Sequence, residues 1–328
     1  MATVSVVIPT YNQAQWIGRT LEALIAQRRR PDQAVVVDDG STDDTLKILE
    51  GYRGKVPFPF DIVEQANGGP GAARNRGIQA ATGEVIAFTD SDAVARPDWL
   101  ENALQRLEKE GPDCAGVEGR VEDDLFHAPS IRTHQLHNLH GGHFLTCNML
   151  YRRQALQAVG GFRTRYREDS DLAFSLLEKG YRIVFEPSAV VDHPPREGTA
   201  WEVFHLAKKR KNDALLWSRH PDTCRQFLGS LYPPSESSVL IGEVAVVIGG
   251  LAGVNAAVIV GLAVILFGLP RVVLASLEGR QFNNRDYVTV LAIALMLPAV
   301  NFFYRTWGLW FRPPVLPVES IRQTDAGG

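Results

Sequence analysis

The stretch Glu84 to Asp92 ends an apolar run on two carboxylates, Asp90 and Asp92, two residues apart. In an extended chain, side chains at i and i+2 leave on the same side. Two like charges held so close repel unless something positive lies between them. Carboxylate oxygens suit Mg²⁺ or Mn²⁺, and such a cation keeps positions open for a ligand such as a diphosphate. Alone, D-x-D also fits a plain acidic turn after a strand. A second acidic group, Glu168-Asp169-Ser170-Asp171, opens an apolar-periodic segment, where acids also complement a helix N-terminus. His193 closes another apolar run just before Pro194, a place where histidine is more often structural. His134, His137, His140 and His143 recur every third residue, but that spacing drifts around a helix and Gly141-Gly142 interrupts it. Surface histidines are therefore expected there rather than a metal site.

The elements that must position these groups alternate between strand and helix. Val4 to Ile8 reads as a first strand, followed by the loop Pro9-Thr-Tyr-Asn12 and a helix over Gln13 to Gln27 with an apolar stripe. Ala34 to Val37 is a second strand, running into Asp38-Asp39. Ser41 or Thr42 is expected to cap a helix over Asp43 to Gly51, with Asp44 completing a capping-box-like arrangement. Phe58 to Glu64 is a third strand, Asn67 to Gly71 a turn, and Ala72 to Ala81 a helix. Val85 to Phe88 follows as a strand and Pro97 to Glu110 as a helix. Beyond Gly111 the pattern loosens, resuming with a strand over Thr146 to Tyr151, a helix over Arg153 to Val159 and a strand over Arg182 to Val191. This alternation predicts an α/β class with a mostly parallel sheet and flanking helices. Ligands of such sheets sit at strand carboxyl ends, where Tyr11, Asp38, Asp39, Asp90 and Asp92 all fall.

The chain has 328 residues and a net charge of −3, so it can bury a sizeable core and carries no general nucleic-acid footprint. Cys114, Cys147 and Cys224 lie far apart, without metal or disulfide spacing, which fits reduced thiols. The first residues lack a basic, apolar leader, so the N-terminal part is expected to stay in the cytosol. From Val239 the chain turns strongly apolar. Val244 to Leu269 is 26 residues without a charge and Tyr287 to Tyr304 another 18, so two transmembrane helices are expected. Gly249 and Gly253 form a G-x-x-x-G packing face within the first. Before them, Thr199 to Trp217 combines aromatics with Lys208-Lys-Arg-Lys211, the pattern of an amphipathic helix on an anionic surface.

Taken together, the ordered motifs resemble glycosyltransferase family 2, whose members have the GT-A nucleotide-sugar-binding fold. They are Val7 to Asn12, Val36 to Thr45, Asn67 to Ile78, Phe88 to Ala93, Gly160 to Phe162, Tyr166 to Phe174 and His193. The resemblance implies that Thr10, Tyr11, Asp38 and Asp39 hold base and ribose, and that Asn67 and Arg74 flank the nucleotide-sugar. It implies that Asp90, Ser91 and Asp92 meet the donor, with Asp90, Asp92 and His193 as ligands of Mg²⁺ or Mn²⁺. Asp169 matches the family's catalytic base, with Glu168 as the lesser candidate. Membrane-embedded processive synthases carry Q-x-x-R-W, and none of the six tryptophans here follows an arginine. The expected protein is thus a non-processive, inverting glycosyltransferase using a nucleotide-diphosphate sugar and a lipid-linked or glycan acceptor.

The expected organisation is a catalytic domain over 1–198, divided at 110 into donor-binding and acceptor halves. An interfacial segment follows over 199–238, then two membrane helices over 239–304 and a cytosolic tail over 305–328. A non-catalytic nucleotide-sugar-binding or assembly protein would keep the fold, but the intact Asp90, Asp92 and Asp169 speak against it. A nucleotidyltransferase would need a glycine-rich basic loop after the first strand, where this chain has Pro9-Thr-Tyr-Asn12.

Overall fold

The computed structural model describes residues 2–123, 133–134, 136–194, 196–197, 199–277, 286–311 and 315–316. They divide into two compact units. One holds residues 1–125, 136–194 and 314–328, and the other 126–135 and 195–313.

The first unit alternates as the sequence predicts. It runs β1 (Val4–Thr10), α1 (Ile17–Ile25), β2 (Gln33–Asp38), α2 (Thr45–Tyr52), β3 (Phe60–Glu64), α3 (Pro70–Ala80) and β4 (Val85–Phe88). Then come β5 (Val94–Ala95), α4 (Trp99–Lys109) and β6 (Cys114–Asp123), while β7 (Thr133–His134) belongs to the second unit. The first unit resumes with β8 (Met149–Arg152), α5 (Arg153–Val159), α6 (Glu168–Glu178) and β9 (Arg182–His193).

Eight strands form one sheet in the order β3-β2-β1-β4-β8-β6-β9-β5. β3, β2, β1 and β4 pair in parallel, β8 lies antiparallel between β4 and β6, and β9 runs parallel to β6. The sheet is therefore mixed, yet β1, β2, β4 and β9 all point the same way. Their carboxyl ends, Thr10, Asp38, Phe88 and His193, lie on one edge. Burial of β2 and β4 throughout, and of β1 at every residue but Pro9, explains their Val-, Ile- and Ala-rich content.

Three sequence expectations need correction. The α2 helix begins at Thr45, with Asp44 at the N-cap position, so neither Ser41 nor Thr42 caps it; instead Asp43 accepts the Thr45 backbone N–H at 3.0 Å. The strand predicted from Thr146 starts only at Met149, after a 3₁₀ turn over Thr146–Asn148. β5 and β6 went unread because one is two residues long and the other mixes glycine and charge with its apolar positions. The buried Asn148 secures that region, accepting from Trp99 Nε1 at 2.7 Å and donating to the Arg120 and Ala189 carbonyls.

The second unit begins with β10 (Arg196–Glu197), paired with β7, then α7 (Glu202–Ala207), a 3₁₀ turn over Lys208–Arg210, α8 (Lys211–Arg219) and α9 (Pro221–Leu228). The expected amphipathic helix is thus two short helices joined by the basic turn. Beyond them lie α10 (Pro234–Leu251), α11 (Asn255–Leu277) and α12 (Asp286–Trp310). Among the described residues three helices are long and apolar enough to cross a membrane, where two were expected. The 26-residue apolar run is a hairpin: Gly253 adopts φ +68° and turns the chain between α10 and α11. Gly249 sits in the packing seam beside Ala257 as G-x-x-x-G implied, but Gly253 forms the turn. Gly242 and Gly261 let the two backbones touch, a Cβ at Gly242 falling 2.7 Å from the Gly261 oxygen.

Close packing of α3 on β1 makes one glycine indispensable. A Cβ at Gly77 would lie 2.3 Å from Val7 Cγ1 in the fully buried core. We expect Gly77→Ala to destabilise the chain by about 1–3 kcal/mol, read as a lower urea midpoint with an unchanged slope.

Candidate active site

The strand register builds the first half of the site. β5 pairs antiparallel with β9, Val94 opposite Asp192, so the chain after β4 folds back beside His193. Ligand atoms of Asp90, Asp92 and His193 consequently lie within 4.8 Å of one another. His193 Nε2 is 3.5 Å from Asp92 Oδ1. Its Nδ1 lies 3.2 Å from the Pro194 carbonyl, which can only accept. With Nδ1 donating there, Nε2 is the ring atom that faces the aspartates, the arrangement of metal-binding histidines. Two carboxylates and an imidazole fit a divalent cation such as Mg²⁺ or Mn²⁺. The histidines at 137, 140 and 143 are exposed and join no such cluster among the described residues; the side chain of His134 lies outside them.

Helix α3 and the turn after α5 build the other half. Gly71 lies so near this turn that a Cβ would meet the Thr164 carbonyl at 2.9 Å. Asn75 donates to the Phe162 carbonyl at 2.8 Å and accepts the Phe162 N–H at 2.9 Å, latching helix to turn. Arg74, one residue earlier, is thereby carried to the centre. Its Nη2 donates to Asp90 at 2.8 Å and its Nη1 to Glu168 at 3.0 Å. The Phe162 ring lies 5.7 Å from the guanidinium carbon. Burial works against the Arg74 charge, but Asp90, Glu168 and Asp169 together hold its pKa above the ordinary value.

Glu168 and Asp169 occupy the first turn of α6, entered through Arg167 at φ +60°, a strained conformation for a non-glycine residue. Burial raises the Glu168 carboxyl to about 7, the Asp169 charge adds to the shift, and Arg74 opposes it. Burial likewise raises Asp169, against the hydrogen bond from the Ser170 N–H at 2.7 Å. The buried Cys147 thiol, pushed well up by burial, also feels Asp90, Asp92 and Asp169. Arg74, bonded to Asp90 on one side and to Glu168 on the other, holds the two acidic groups near one another.

At the carboxyl ends of β1 and β2 the side chains divide. Asp39 holds the following loop, accepting from Gln65 at 2.7 Å and from the backbone N–H groups of Gly68 and Gly69 at 2.8 Å each. Asn67 donates to the Asp39 carbonyl at 3.1 Å and is exposed, as is Tyr11. By contrast Thr10 Oγ1, Asp38 Oδ1 and Arg74 Nε are among the buried side-chain atoms without a hydrogen-bond partner in the described structure. Ser91 is buried and its carbonyl accepts from Thr20 at 3.0 Å.

Sequence reasoning assigned no role to Cys147, Asn75 or Glu118. Asn75 lay inside a quoted motif, so its signal was present. Glu118 left none: its buried carboxylate accepts the N–H groups of Gly142 and His143 at 2.7 and 2.9 Å, fixing a loop distant in sequence.

The model of Glycosyl transferase family 2 matches residues 5–160. The putative teichuronic acid biosynthesis glycosyltransferase TuaG of Bacillus subtilis is 31% identical over 189 residues, 54% of this chain and 73% of its own. The chain belongs to glycosyltransferase family 2. Another family relative is the poly(ribitol-phosphate) beta-N-acetylglucosaminyltransferase TarS of Staphylococcus aureus, 32% identical over 53% of this chain. The match spans only 30% of the TarS length. Among solved structures, the mannosyltransferase PcManGT from Pyrobaculum calidifontis, in complex with GDP-Man and Mn²⁺, superposes with a TM-score of 0.61. It is 21% identical, over 92% of this chain and 87% of that one, so the likeness shows the shared GT-A fold.

The Asp90, Asp92 and His193 cluster makes a direct prediction. Mn²⁺ should raise the melting temperature of the chain. In Asp92→Asn the metal affinity should fall at least ~10-fold, since changes to groups that merely orient a ligand already cost that much. Calorimetric titration without any nucleotide checks it.

Proposed function

We propose that the chain is a metal-dependent, inverting glycosyltransferase that takes a sugar from a nucleotide-diphosphate donor to a membrane-borne acceptor. The observation that carries this reading is Arg74, which joins Asp90 of the cation cluster to Glu168 of the acidic pair. The groups needed to hold the donor's diphosphate and to deprotonate an acceptor thereby meet in one cleft.

The nucleotide would lie across the strand ends, with Thr10 and the unsatisfied oxygen of Asp38 toward base and ribose. Tyr11 and Asn67 stand at the rim, and Asp39 shapes the loop that Asn67 belongs to. Asp90, Asp92 and His193 would hold the cation, with Ser91 between the two aspartates at the diphosphate. A bound divalent cation stabilises charge on the departing nucleoside diphosphate. Arg74 fixes the Asp90 carboxylate and the Glu168 carboxylate at once.

Asp169 is assigned as the base that takes the acceptor hydroxyl's proton. Glu168 is the lesser candidate because Arg74 already holds one of its oxygens. A single base and a single displacement invert the anomeric centre. Family membership supports a nucleotide-sugar donor, and TarS, named for transfer of N-acetylglucosamine to poly(ribitol-phosphate), supports a polymeric acceptor. The apolar helices and the basic turn at Lys208–Arg210 support membrane association, with the catalytic unit at the cytosolic face and a lipid-linked acceptor within reach. The absence of Q-x-x-R-W supports transfer of one or a few sugars.

Asp169→Asn should lower kcat by ~10²–10⁴ while donor and Mn²⁺ binding, followed by thermal shift, stay near wild type. Loss of binding together with activity would point to a structural role. Transfer must be tested against a panel of nucleotide sugars with lipid-linked and soluble acceptors.

The acidic pair also sets a pH dependence. A carboxyl raised by burial becomes a base only as pH climbs through its raised value, so activity is lost as pH falls through that range. We expect the acid limb of kcat/KM above the ordinary carboxylate value, because burial raises Asp169, with Glu168 beside it raised to about 7. Glu168→Gln removes the neighbouring negative charge and should move the limb of the remaining activity downward. An unmoved limb would disprove the coupling.

A further inference from the structure

We infer that α12 lies along the membrane surface, and that the α10–α11 hairpin alone among the three apolar helices enters the hydrocarbon. This rests on the membrane reading proposed above and goes beyond it in assigning each helix its place. Composition alone would make α12 a crossing helix, since its 25 residues extend ~37 Å against a hydrocarbon core of ~30 Å. Its neighbours contradict that placement.

One stripe of α12 is buried along its length, from Val290, Ile293 and Ala294 through Asn301 to Arg305 and Gly308. Val290 and Ile293 pack with Ala200, Val203 and Phe204 beside α7. The basic turn Lys208–Arg210 also packs on α12. Near the end, Gly308 has no room for a Cβ, which would fall 2.0 Å from the Lys211 carbonyl, and Arg305 lies 3.5 Å from Asp213. α12 therefore runs lengthwise beside a segment bearing Lys208, Lys209, Arg210 and Lys211. A crossing α12 would draw that segment toward the bilayer interior, where charged side chains are disfavoured.

Its contacts with the hairpin come from the hairpin's open end. Glu236 in the first turn of α10 binds Arg305 at 2.6 Å and Asn301 at 3.2 Å. Val239, Leu269 and Val272 form a small core with Ala294. A third crossing helix would pack along the arms of the hairpin, whereas α12 lies at their base, level with a buried cluster of charges.

Chain parity agrees. The chain leaves the first unit at Pro194 and is back in it at Leu316, whose N–H donates to the Arg163 carbonyl at 2.6 Å. An even number of crossings must lie between, so three spanning helices are impossible. The face of α12 away from α7 and α8 presents Val288, Met296, Phe303, Trp307 and Trp310, all exposed. Apolar and aromatic groups on one side, with a basic run beside the other, suit the boundary between acyl chains and anionic headgroups.

The test uses the full chain in vesicles of phosphatidylcholine with one third phosphatidylglycerol. Cysteines replace Val288, Met296, Phe303 and Trp310 one at a time, the native Cys114, Cys147 and Cys224 being buried. Each is labelled with a fluorophore and its depth measured with lipids carrying quenchers at graded positions. All four labels should report one shallow depth, ~5–10 Å into the headgroup and acyl boundary. Labels at 296 and 303 near the midplane, with 288 and 310 near opposite faces, would overturn the inference, as would labels facing water. Flotation separates the two readings. A chain that fails to float with the vesicles overturns the membrane reading itself, while one that floats with a sloping depth profile overturns only the placement of α12.

Discussion

A buried guanidinium cannot remain unpaired, and that constraint organises the catalytic unit. Arg74 is taken out of water at the base of the cleft, where the cost of isolation is several times the worth of an exposed ion pair. It is tolerated because Asp90 and Glu168 approach from two sides. Those acids come from segments nearly eighty residues apart, so the arginine fixes the geometry between strand β4 and helix α6. Glu168 and Asp169, adjacent and drawn largely out of water, are in turn both raised above the ordinary carboxylate range.

The rest of the cleft is held by polar groups that work on backbone. Asp39 ties down the Gln65 to Gly69 loop, Glu118 the loop through His143, Asn75 the turn at Phe162, and Asn148 the junction of β6 and β9. Each is a short side chain that accepts or donates to main-chain groups which would otherwise be buried without partners. Loops positioned this way keep a fixed shape while Thr10 and Asp38 retain unsatisfied atoms.

Charge placement governs the helical unit as well. Glycines at 242, 249 and 261 let α10 and α11 pack closely, and nothing charged lies between Val244 and Leu269. Asp213, Glu236 and Arg305 gather at the open end of that hairpin, Arg305 pairing with both acids. The hairpin and α12 have similar apolar content, so composition cannot separate them, but their neighbours do.

The strand and helix order of the first unit was legible because its periodicities are local and strong: Val85–Phe88 and Arg153–Val159 were read to the residue. The family and its acidic motifs were legible for the same reason, being short runs in a fixed order. Where those motifs meet was not. That Asp92 faces His193 depends on the two-residue strand β5 pairing with β9, and that Arg74 reaches Glu168 depends on Asn75 gripping a turn 87 residues away. The apolar run from Val244 to Leu269 reads as one long helix because hydropathy registers composition, while Gly253 breaks it through backbone conformation. Sequence alone thus determined which residues could do chemistry and how the elements alternate. The tertiary structure decided which of them share a cleft, because side chains far apart in the chain are brought together only by strand register, helix packing and the cost of leaving charge unpaired.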